Sequence, residues 1–485
     1  MIETPASVPT LGPQTAEPAA LHCLGADTEL PVVGDAVRKR VYLDSAATTL
    51  MAQAAHQAGA RFLPHYASTH SDAHLSAEIA HHALLKSREA ILRLVGAHPD
   101  DYVVVFNGSG ATGGLNWLSR ALRARRPGSG IALLSTLEHH ANDLPHRLSG
   151  AVERVPLVDP RTPESGTQMA ALADALAKAS APIDFVTLTG ASNVTGIMPD
   201  LAAAAALCAE AGVPFIIDGA QWVPHCPVAL AALDAAGRVD ALVFSGHKLY
   251  APGSPGVVVL KRTFAETLPL VDAGGGMVES VYPHEFTPLK NLPERLEPGT
   301  PNLPGAIMLG AAANALAKQD MTRIRRTEHA QLARIWRGLE ALPGVRLYGP
   351  DPTEVPRTGC VPFNIKGLPH GLSARILSDY FAIEVRNGCF CAEPYVRTLL
   401  RDQMLALELD PDDPDVVLRS RRELGLVRAS LGAHLSAADV DYFLAAMAEI
   451  SAHAEEFAAH YQETGIANWR HRHFRREIDA LLPWQ

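Results

Sequence analysis

Six short apolar runs, most of them separated by Ala- and Leu-rich chain of helical period, constrain this sequence more than any other feature; they lie at 103–106, 131–135, 185–189, 215–218, 241–245 and 257–260. A strand that is apolar at every position is covered on both faces, and strands alternating with helices form a mostly parallel sheet between helical layers. The expected fold class is therefore α/β. Ligands of such a sheet collect beyond the carboxyl ends of its strands, so the polar residues just after each run are the candidates for chemistry.

The 485-residue chain is 47% hydrophobic and 19% charged, which suits a large folded protein and excludes global disorder. Its formal charge of -10 offers no basic surface for a phosphate backbone, so small molecules rather than nucleic acid or acidic membranes are the expected partners. The most apolar helical stretch, 201–208, is Ala-rich and soon interrupted by Glu210, well short of a bilayer span. No basic segment leads into an apolar run near the N-terminus, and the expected location is cytoplasmic. The six cysteines, Cys23, Cys208, Cys226, Cys360, Cys389 and Cys391, make neither a disulfide framework nor paired zinc spacings, and no metal site is expected.

Residues 1–40, rich in Pro, Ala and Thr, read as an arm or irregular strap. A Pro- and Gly-rich stretch at 283–304 divides a large unit, 41–305, from a smaller one, 306–455, which opens with a helix near Ala306 and has short elements from Val345. The last segment, 456–485, carries Trp469, Arg470, His471, Arg472, His473, Phe474, Arg475 and Arg476, a basic and aromatic tail expected to pack as a helix on a partner or on the acidic body.

The chemistry concentrates after the strands. Lys248 closes Phe244-Ser245-Gly246-His247-Lys248 and precedes a Pro/Gly-rich turn. A lysine there is commonly a solvated surface residue, but a Schiff-base lysine needs an amine kept neutral by burial or nearby cations, with phosphate donors close by, and Ser245 and His247 are such donors. Asp218 ends another run; it is either a helix cap or a carboxylate that keeps a pyridine nitrogen protonated. Opposite charges about 4 Å apart at an effective dielectric of about 20 gain about 4 kcal/mol, roughly three pKa units. The loop Asn107-Gly108-Ser109-Gly110-Ala111-Thr112-Gly113-Gly114 opens a helix whose amides can cradle phosphate. Gly108, Gly110 and Gly113 also spell a dinucleotide pattern, with Glu138 about where a ribose-binding acid belongs, so an NAD-dependent oxidoreductase is the rival reading. His139, in Glu138-His139-His140-Ala141-Asn142, is a candidate plate for a planar cofactor.

These residues give the chain a close resemblance to the class V aminotransferase superfamily, and within it to the cysteine desulfurase and selenocysteine lyase branch, from about Val41 to Ile450. The likeness is carried by Tyr42-Leu43-Asp44-Ser45-Ala46-Ala47-Thr48-Thr49, the 138–142 block, Ser192-Asn193-Val194-Thr195-Gly196, Asp218-Gly219-Ala220-Gln221, Ser245-Gly246-His247-Lys248 and Glu297-Pro298-Gly299-Thr300-Pro301-Asn302. The resemblance implies a pyridoxal-phosphate enzyme of fold type I, aspartate-aminotransferase-like, with a mostly parallel sheet in the large domain and a smaller α+β C-terminal domain. By the same resemblance Lys248 is the Schiff-base lysine, Asp218 pairs the pyridinium nitrogen, Gln221 contacts the phenolic oxygen and His139 stacks on the ring. Ala111, Thr112, Ser245 and His247 would bind phosphate, Asn193 would position substrate and ring, and Thr300 would reach the cofactor of the other subunit in a homodimer.

The reactive loop resembles Arg386-Asn387-Gly388-Cys389-Phe390-Cys391-Ala392-Glu393-Pro394. Cys391 stands where the branch has its nucleophile, with Arg386 five residues before it, and Arg428 matches the carboxylate-binding arginine. The bland alternative for Cys391 is a buried, inert thiol. Asn387, Gly388, Cys389 and Phe390 replace the Thr-Gly-His-His usual in the branch, and Cys389-Phe390-Cys391 looks more like the loop of molybdenum-cofactor sulfurases. An insertion separates Glu408 from Leu424. The implied activity is removal of sulfur from L-cysteine, giving alanine and a persulfide on Cys391 that passes to an acceptor protein. Another class V reaction, by an aminotransferase, epimerase or lyase, would use the same cofactor residues without a nucleophile at Cys391.

Overall fold

The computed structural model describes residues 21–483 apart from 35, 72, 127, 129, 160–161, 163–166, 408–423, 466 and 480–481. All six apolar runs are strands of one seven-stranded sheet: β1 (Tyr102–Asn107), β2 (Ile131–Ser135), β3 (Ala151–Val155), β4 (Ile183–Thr189), β5 (Phe215–Asp218), β6 (Ala241–Ser245) and β7 (Gly256–Lys261). Their order is β1-β7-β6-β5-β4-β2-β3. The unforeseen strand, β3, lies at the sheet edge, where Glu153 and Arg154 break the apolar run that marks the others. Strand β7 is antiparallel to both neighbours, β1 and β6, and the remaining pairs are parallel. The carboxyl ends of β1, β2, β4, β5 and β6 therefore share one side of the sheet, where β7 begins.

Alternate strand residues feed two cores, as the period of two requires. Val104, Phe106, Leu133, Val186 and Ile217 face α1 (Gln53–Phe62), α2 (Leu75–Leu94) and α4 (Leu303–Gln319), whereas Val103, Val105, Phe185, Ile216 and Val243 face α3 (Gly110–Arg125). Helix α3 sits so close to the sheet that a Cβ on Gly114 would lie 2.7 Å from Val258 and 3.0 Å from Val243. Leu303, Ala306, Leu309, Ala312 and Leu316 of α4 belong to the first of these cores, so the packing of the sheet unit continues to the turn at Asp320.

The second unit is an antiparallel sheet of β8 (Val345–Leu347), β9 (Cys360–Ile365), β10 (Arg386–Gly388) and β11 (Leu426–Ser430), in the order β8-β9-β11-β10. Helices α5 (Met321–Glu340), α6 (His370–Phe381) and α7 (Ala437–Ala452) cover it, burying Leu332, Ile335, Leu377, Phe381, Phe443 and Met447. Among the described residues, no helix is long and apolar enough to cross a membrane.

Two peripheral segments differ from expectation. Within the strap, 29–32 pairs with 36–39 as an antiparallel ribbon, and the Val33 N–H donates to the Asp379 carbonyl at 2.9 Å. The tail is a hairpin rather than a helix: β12 (Tyr461–Gly465) pairs with β13 (Asn468–His471). Helix α6 anchors it: the Tyr380 hydroxyl meets His460 Nδ1 at 2.6 Å and His471 Nε2 at 3.1 Å, while Arg476 Nη1 donates to Asp379 Oδ1 at 2.6 Å. Residues 1–20 of the strap and 408–423 of the insertion lie outside the described residues.

Candidate active site

A cavity of about 190 Å³ opens at the shared carboxyl ends of the large sheet, facing β10 and β11. Ala111, Thr112, His139, Asn193, Asp218, Gln221, Ser245, His247, Lys248, Arg386, Cys391 and Arg428 all line it. Thr300 is the one expected residue not among its lining, and it is exposed on its own protomer. Three residues earlier the Glu297 side chain is only 9% exposed, accepting the Phe106 N–H at 2.6 Å and Arg88 Nη2 at 2.5 Å. The segment before Thr300 is thus tied to strand β1.

At one end of the cavity the first turn of α3 presents N–H groups and the positive end of a 16-residue helix. Gly110 has φ +58°, and a Cβ there would lie 2.8 Å from Ser245 Oγ, so glycine is required on both counts. The Ala111 N–H donates to Ser245 Oγ at 2.7 Å, and His247 Nδ1 lies 3.2 Å from Thr48 Oγ1. Helix amides, a hydroxyl and an imidazole converging on one corner make a cradle for a phosphate.

The middle of the cavity holds the buried charges. Burial pulls the Lys248 amine below the usual lysine range, against the attraction of Asp218. Burial likewise lifts the Asp218 carboxyl, against a hydrogen bond from the Ala220 N–H to Oδ1 at 3.0 Å and the pull of Lys248. A carboxylate this enclosed calls for a cation opposite it. The His139 imidazole is pushed down to about 3, first by burial and then by Lys248, and is uncharged at neutral pH. Gln221 Nε2 donates to the Ala46 carbonyl at 2.6 Å. Asn193 Nδ2 donates to the Phe390 carbonyl at 2.7 Å, while its Oδ1 is buried with no partner among the described residues.

The dinucleotide alternative fails here. Glu138 is fully committed, with Oε1 accepting Ser135 Oγ at 2.5 Å and the Thr189 N–H at 2.9 Å, and Oε2 accepting Asn142 Nδ2 at 2.6 Å. These bonds brace β2 against β4 and leave no oxygen for a ribose, and burial pushes the carboxyl's pKa up to about 8.

The other end belongs to the second sheet, where the register sets Arg386 directly opposite Arg428. Like charges in that position repel. Asp44 relieves them, with Oδ1 3.1 Å from Arg428 Nη2 and Oδ2 3.8 Å from Arg386 Nη1. Arg428, only 2% exposed, also donates from Nη1 to the Asn193 carbonyl at 2.7 Å and lies 4.7 Å over the Phe390 ring. Sequence reading included Asp44 in a family block but assigned it no role, and it read Phe390 only as a missing histidine. The contacts that define both join residues from 38 to 384 positions apart, and no local signal reports them.

Cys391 follows β10 in a turn closed by the Ala392 N–H on the Cys389 carbonyl at 2.9 Å. Phe390 and Cys391 both have positive φ, 54° and 55°, in the manner of a type I′ turn, where Gly or Asn is usual. Left-handed non-glycine residues cost of order 1–3 kcal/mol each and need surroundings that enforce them. Here Phe390 is 8% exposed in an apolar cluster, Asn193 holds its carbonyl, and the His140 N–H holds the Cys391 carbonyl at 2.7 Å. Cys391 itself is exposed, so the inert buried reading does not apply.

A parallel sheet with a buried lysine and carboxylate behind a helix-capped phosphate corner defines the class, and the chain belongs to the aminotransferase class-V family, whose model matches residues 41–443. It is 34% identical over 359 residues to a cysteine desulfurase of Klebsiella pneumoniae, covering 73% of this chain and 84% of that protein. It is 32% identical over 360 residues to one of Escherichia coli, with the same coverage. Among solved structures, a cysteine desulfurase from Thermococcus onnurineus superposes with a TM-score of 0.73 at 26% identity, covering 85% of this chain and 94% of that one. The cysteine desulfurase CsdA of Escherichia coli gives 0.69 at 27% identity, covering 86% and 95%.

Proposed function

We propose that this protein is a pyridoxal-phosphate-dependent cysteine desulfurase that takes sulfur from L-cysteine, leaving alanine and a persulfide on Cys391. The observation that carries the reading is that Cys391 and Lys248 line one cavity with Asp218 and the first turn of α3. The residues fit the cofactor: the glycine-dependent corner suits its phosphate, the buried Asp218 needs a cation, and the unpartnered Asn193 Oδ1 needs a donor. Ala111, Thr112, Ser245 and His247 would hold the phosphate, Asp218 the ring nitrogen, Gln221 the phenolic oxygen and Asn193 the substrate side, with His139 over the ring and Lys248 joined to the aldehyde carbon. When bound, pyridoxal phosphate supplies an electron sink for the substrate's α-carbon.

The chain's own groups do the rest. Arg428 and Arg386 orient the substrate carboxylate, with Asp44 setting the spacing of the two guanidiniums. Lys248 Nζ, biased toward the neutral amine by burial, moves the α-proton. Cys391 Sγ, as thiolate, attacks the substrate sulfur; the sulfur–sulfur bond forms as the substrate's carbon–sulfur bond breaks, and the carbon side, once protonated, leaves as alanine. Uncharged His139 packs against the site without adding a positive charge beside Lys248. We further assign Thr300 to the phosphate of the neighbouring subunit in a homodimer, and a cytoplasmic sulfur-acceptor protein as the partner that unloads Cys391. The six cysteines are all free thiols, as a reducing compartment keeps them.

The test is incubation of the holoenzyme with L-cysteine and a reductant, measuring alanine and sulfide together. Equal release of both, lost in Cys391→Ala while the bound cofactor's absorbance persists, is the expected result. Turnover of cysteine at an unchanged rate in Cys391→Ala would instead move the assignment to another class V reaction.

A further inference from the structure

The turn that carries Cys391 carries a second thiol, and the two face different spaces. Cys391 lines the cofactor cavity, whereas Cys389 lines a separate cavity of about 280 Å³ on the other side of the loop, with Asn387, Glu393, Arg397 and Asn468. Asn468 comes from the C-terminal hairpin, beyond residue 443 where the family match ends, so this second space is walled partly by a segment the family model does not include.

Three hydrogen bonds and a buried ring fix the loop between them. The Phe390 carbonyl is held by Asn193, the Cys391 carbonyl by the His140 N–H and the Cys389 carbonyl by the Ala392 N–H, while the Phe390 ring is enclosed against Arg428. A loop pinned at every carbonyl from 389 to 391 does not swing out to carry sulfur from Cys391 to a distant acceptor. The neighbouring thiol is close: two peptide units span at most about 7.6 Å when fully extended, and the left-handed conformation of Phe390 (φ 54°) folds that span shorter, toward the Cα separation of less than about 7 Å that sulfur–sulfur contact requires.

We propose that Cys389 is a second sulfur station, which receives the sulfane sulfur from Cys391 and presents it in the cavity beside the C-terminal hairpin to an acceptor thiol. This inference rests on the desulfurase reading. The Cys389 thiolate attacks the outer sulfur of the Cys391 persulfide; a new S–S bond forms at Cys389 as the one at Cys391 breaks, and Cys391 leaves as a thiolate that takes the proton Cys389 gave up. One persulfide and one thiol become one thiol and one persulfide, so no oxidant or reductant is consumed. Cys391 is then free for a second substrate while the first sulfur waits outside the cofactor cavity.

The experiment is rapid quenching of the holoenzyme mixed with L-cysteine and no reductant, followed by alkylation, proteolysis and fragmentation mass spectrometry across 388–392. Sulfur should appear first on Cys391 and then on Cys389, and the rapid release of alanine should be about twice that of Cys389→Ser, since the wild type has two thiols to load and the variant one. In Cys391→Ser neither position should acquire sulfur. Alanine release with sulfur confined to Cys391 in the wild type overturns the relay and leaves the desulfurase reading intact. Sulfur on Cys389 in Cys391→Ser overturns the order of transfer, and with it the proposal. A wild type that makes no alanine overturns the desulfurase reading itself, and the relay with it.

Discussion

Replacing Arg428 by Gln removes the buried cation from the cluster it forms with Asp44 and Arg386. Its guanidinium is 2% exposed, bonded to Asp44 at 3.1 Å and to the Asn193 carbonyl at 2.7 Å, and it covers the Phe390 ring. A hydrogen bond between charged groups contributes about 1.5–3 kcal/mol and a desolvated cation–π contact up to about 2 kcal/mol. Removing one partner of a buried ion pair costs about 3–5 kcal/mol in all, because the other charge is stranded. Asp44 would keep only Arg386, at 3.8 Å on a largely exposed side chain. We therefore expect Arg428→Gln to lose about 3–4 kcal/mol, read by urea denaturation against the wild type. The loss depends on pH with a definite sign. Burial already raises the Asp44 pKa in the folded state, and Arg428 is the largest influence holding it down, so the substitution raises it further. A raised carboxyl makes folding less favourable as pH climbs through the folded value and restores stability below it, where the group is neutral. The deficit should be full near about pH 7.5 and shrink as Asp44 protonates in mild acid. A loss below about 1 kcal/mol, or one identical near neutrality and in mild acid, would refute this account of the cluster.

Borohydride reduction of the holoenzyme should fix the cofactor on Lys248, and peptide mapping that found it on another lysine would remove the central assignment. Gly110→Ala adds a Cβ 2.8 Å from Ser245 Oγ at a φ of +58°, so cofactor affinity, followed by fluorescence titration of the apoprotein, should fall about ten-fold or more. The His139 pKa drops from an ordinary 6.5 to about 3. The unfolded chain therefore takes this proton before the folded one does, and stability should decline as pH falls from 6.5 toward 3, less so in His139→Phe. A chemical-shift titration that found His139 protonating near neutrality would contradict its burial.

The strands were legible because a buried parallel strand must be apolar throughout, and the site was legible because its reactive side chains follow directly on those strands: Asp218 on β5, Lys248 just beyond β6, His139 beyond β2. The edge strand β3 was not, because one solvated side admits Glu153 and Arg154 and dissolves the pattern. The terminal hairpin escaped for another reason. Its pairing is fixed by Tyr380, Asp379 and two histidines that meet only in the folded chain. Asp44 and Phe390 escaped likewise, since each is defined by Arg428, and an arginine's partners cannot be read from its neighbours in sequence. Sequence periodicity reports which face of an element is dry; it does not report which charges the closed structure brings together.

Strand β7 pairs with β1 on one side and β6 on the other, and Gly256 stands opposite both Asn107 and Ser245. Among the described residues β7 is the sole partner of β1, which precedes it by some 150 positions, whereas β2, β4, β5 and β6 pair in parallel without it. As the chain leaves the ribosome, β1 waits unpaired until the last strand of the sheet is made, and such non-local pairings are slow to form. The loop that opens α3 and the Ser245 to Lys248 turn come into register only at that moment. A chain arrested before residue 256 already holds every cavity-lining side chain up to Lys248, but not the strand that sets the first turn of α3 against Ser245.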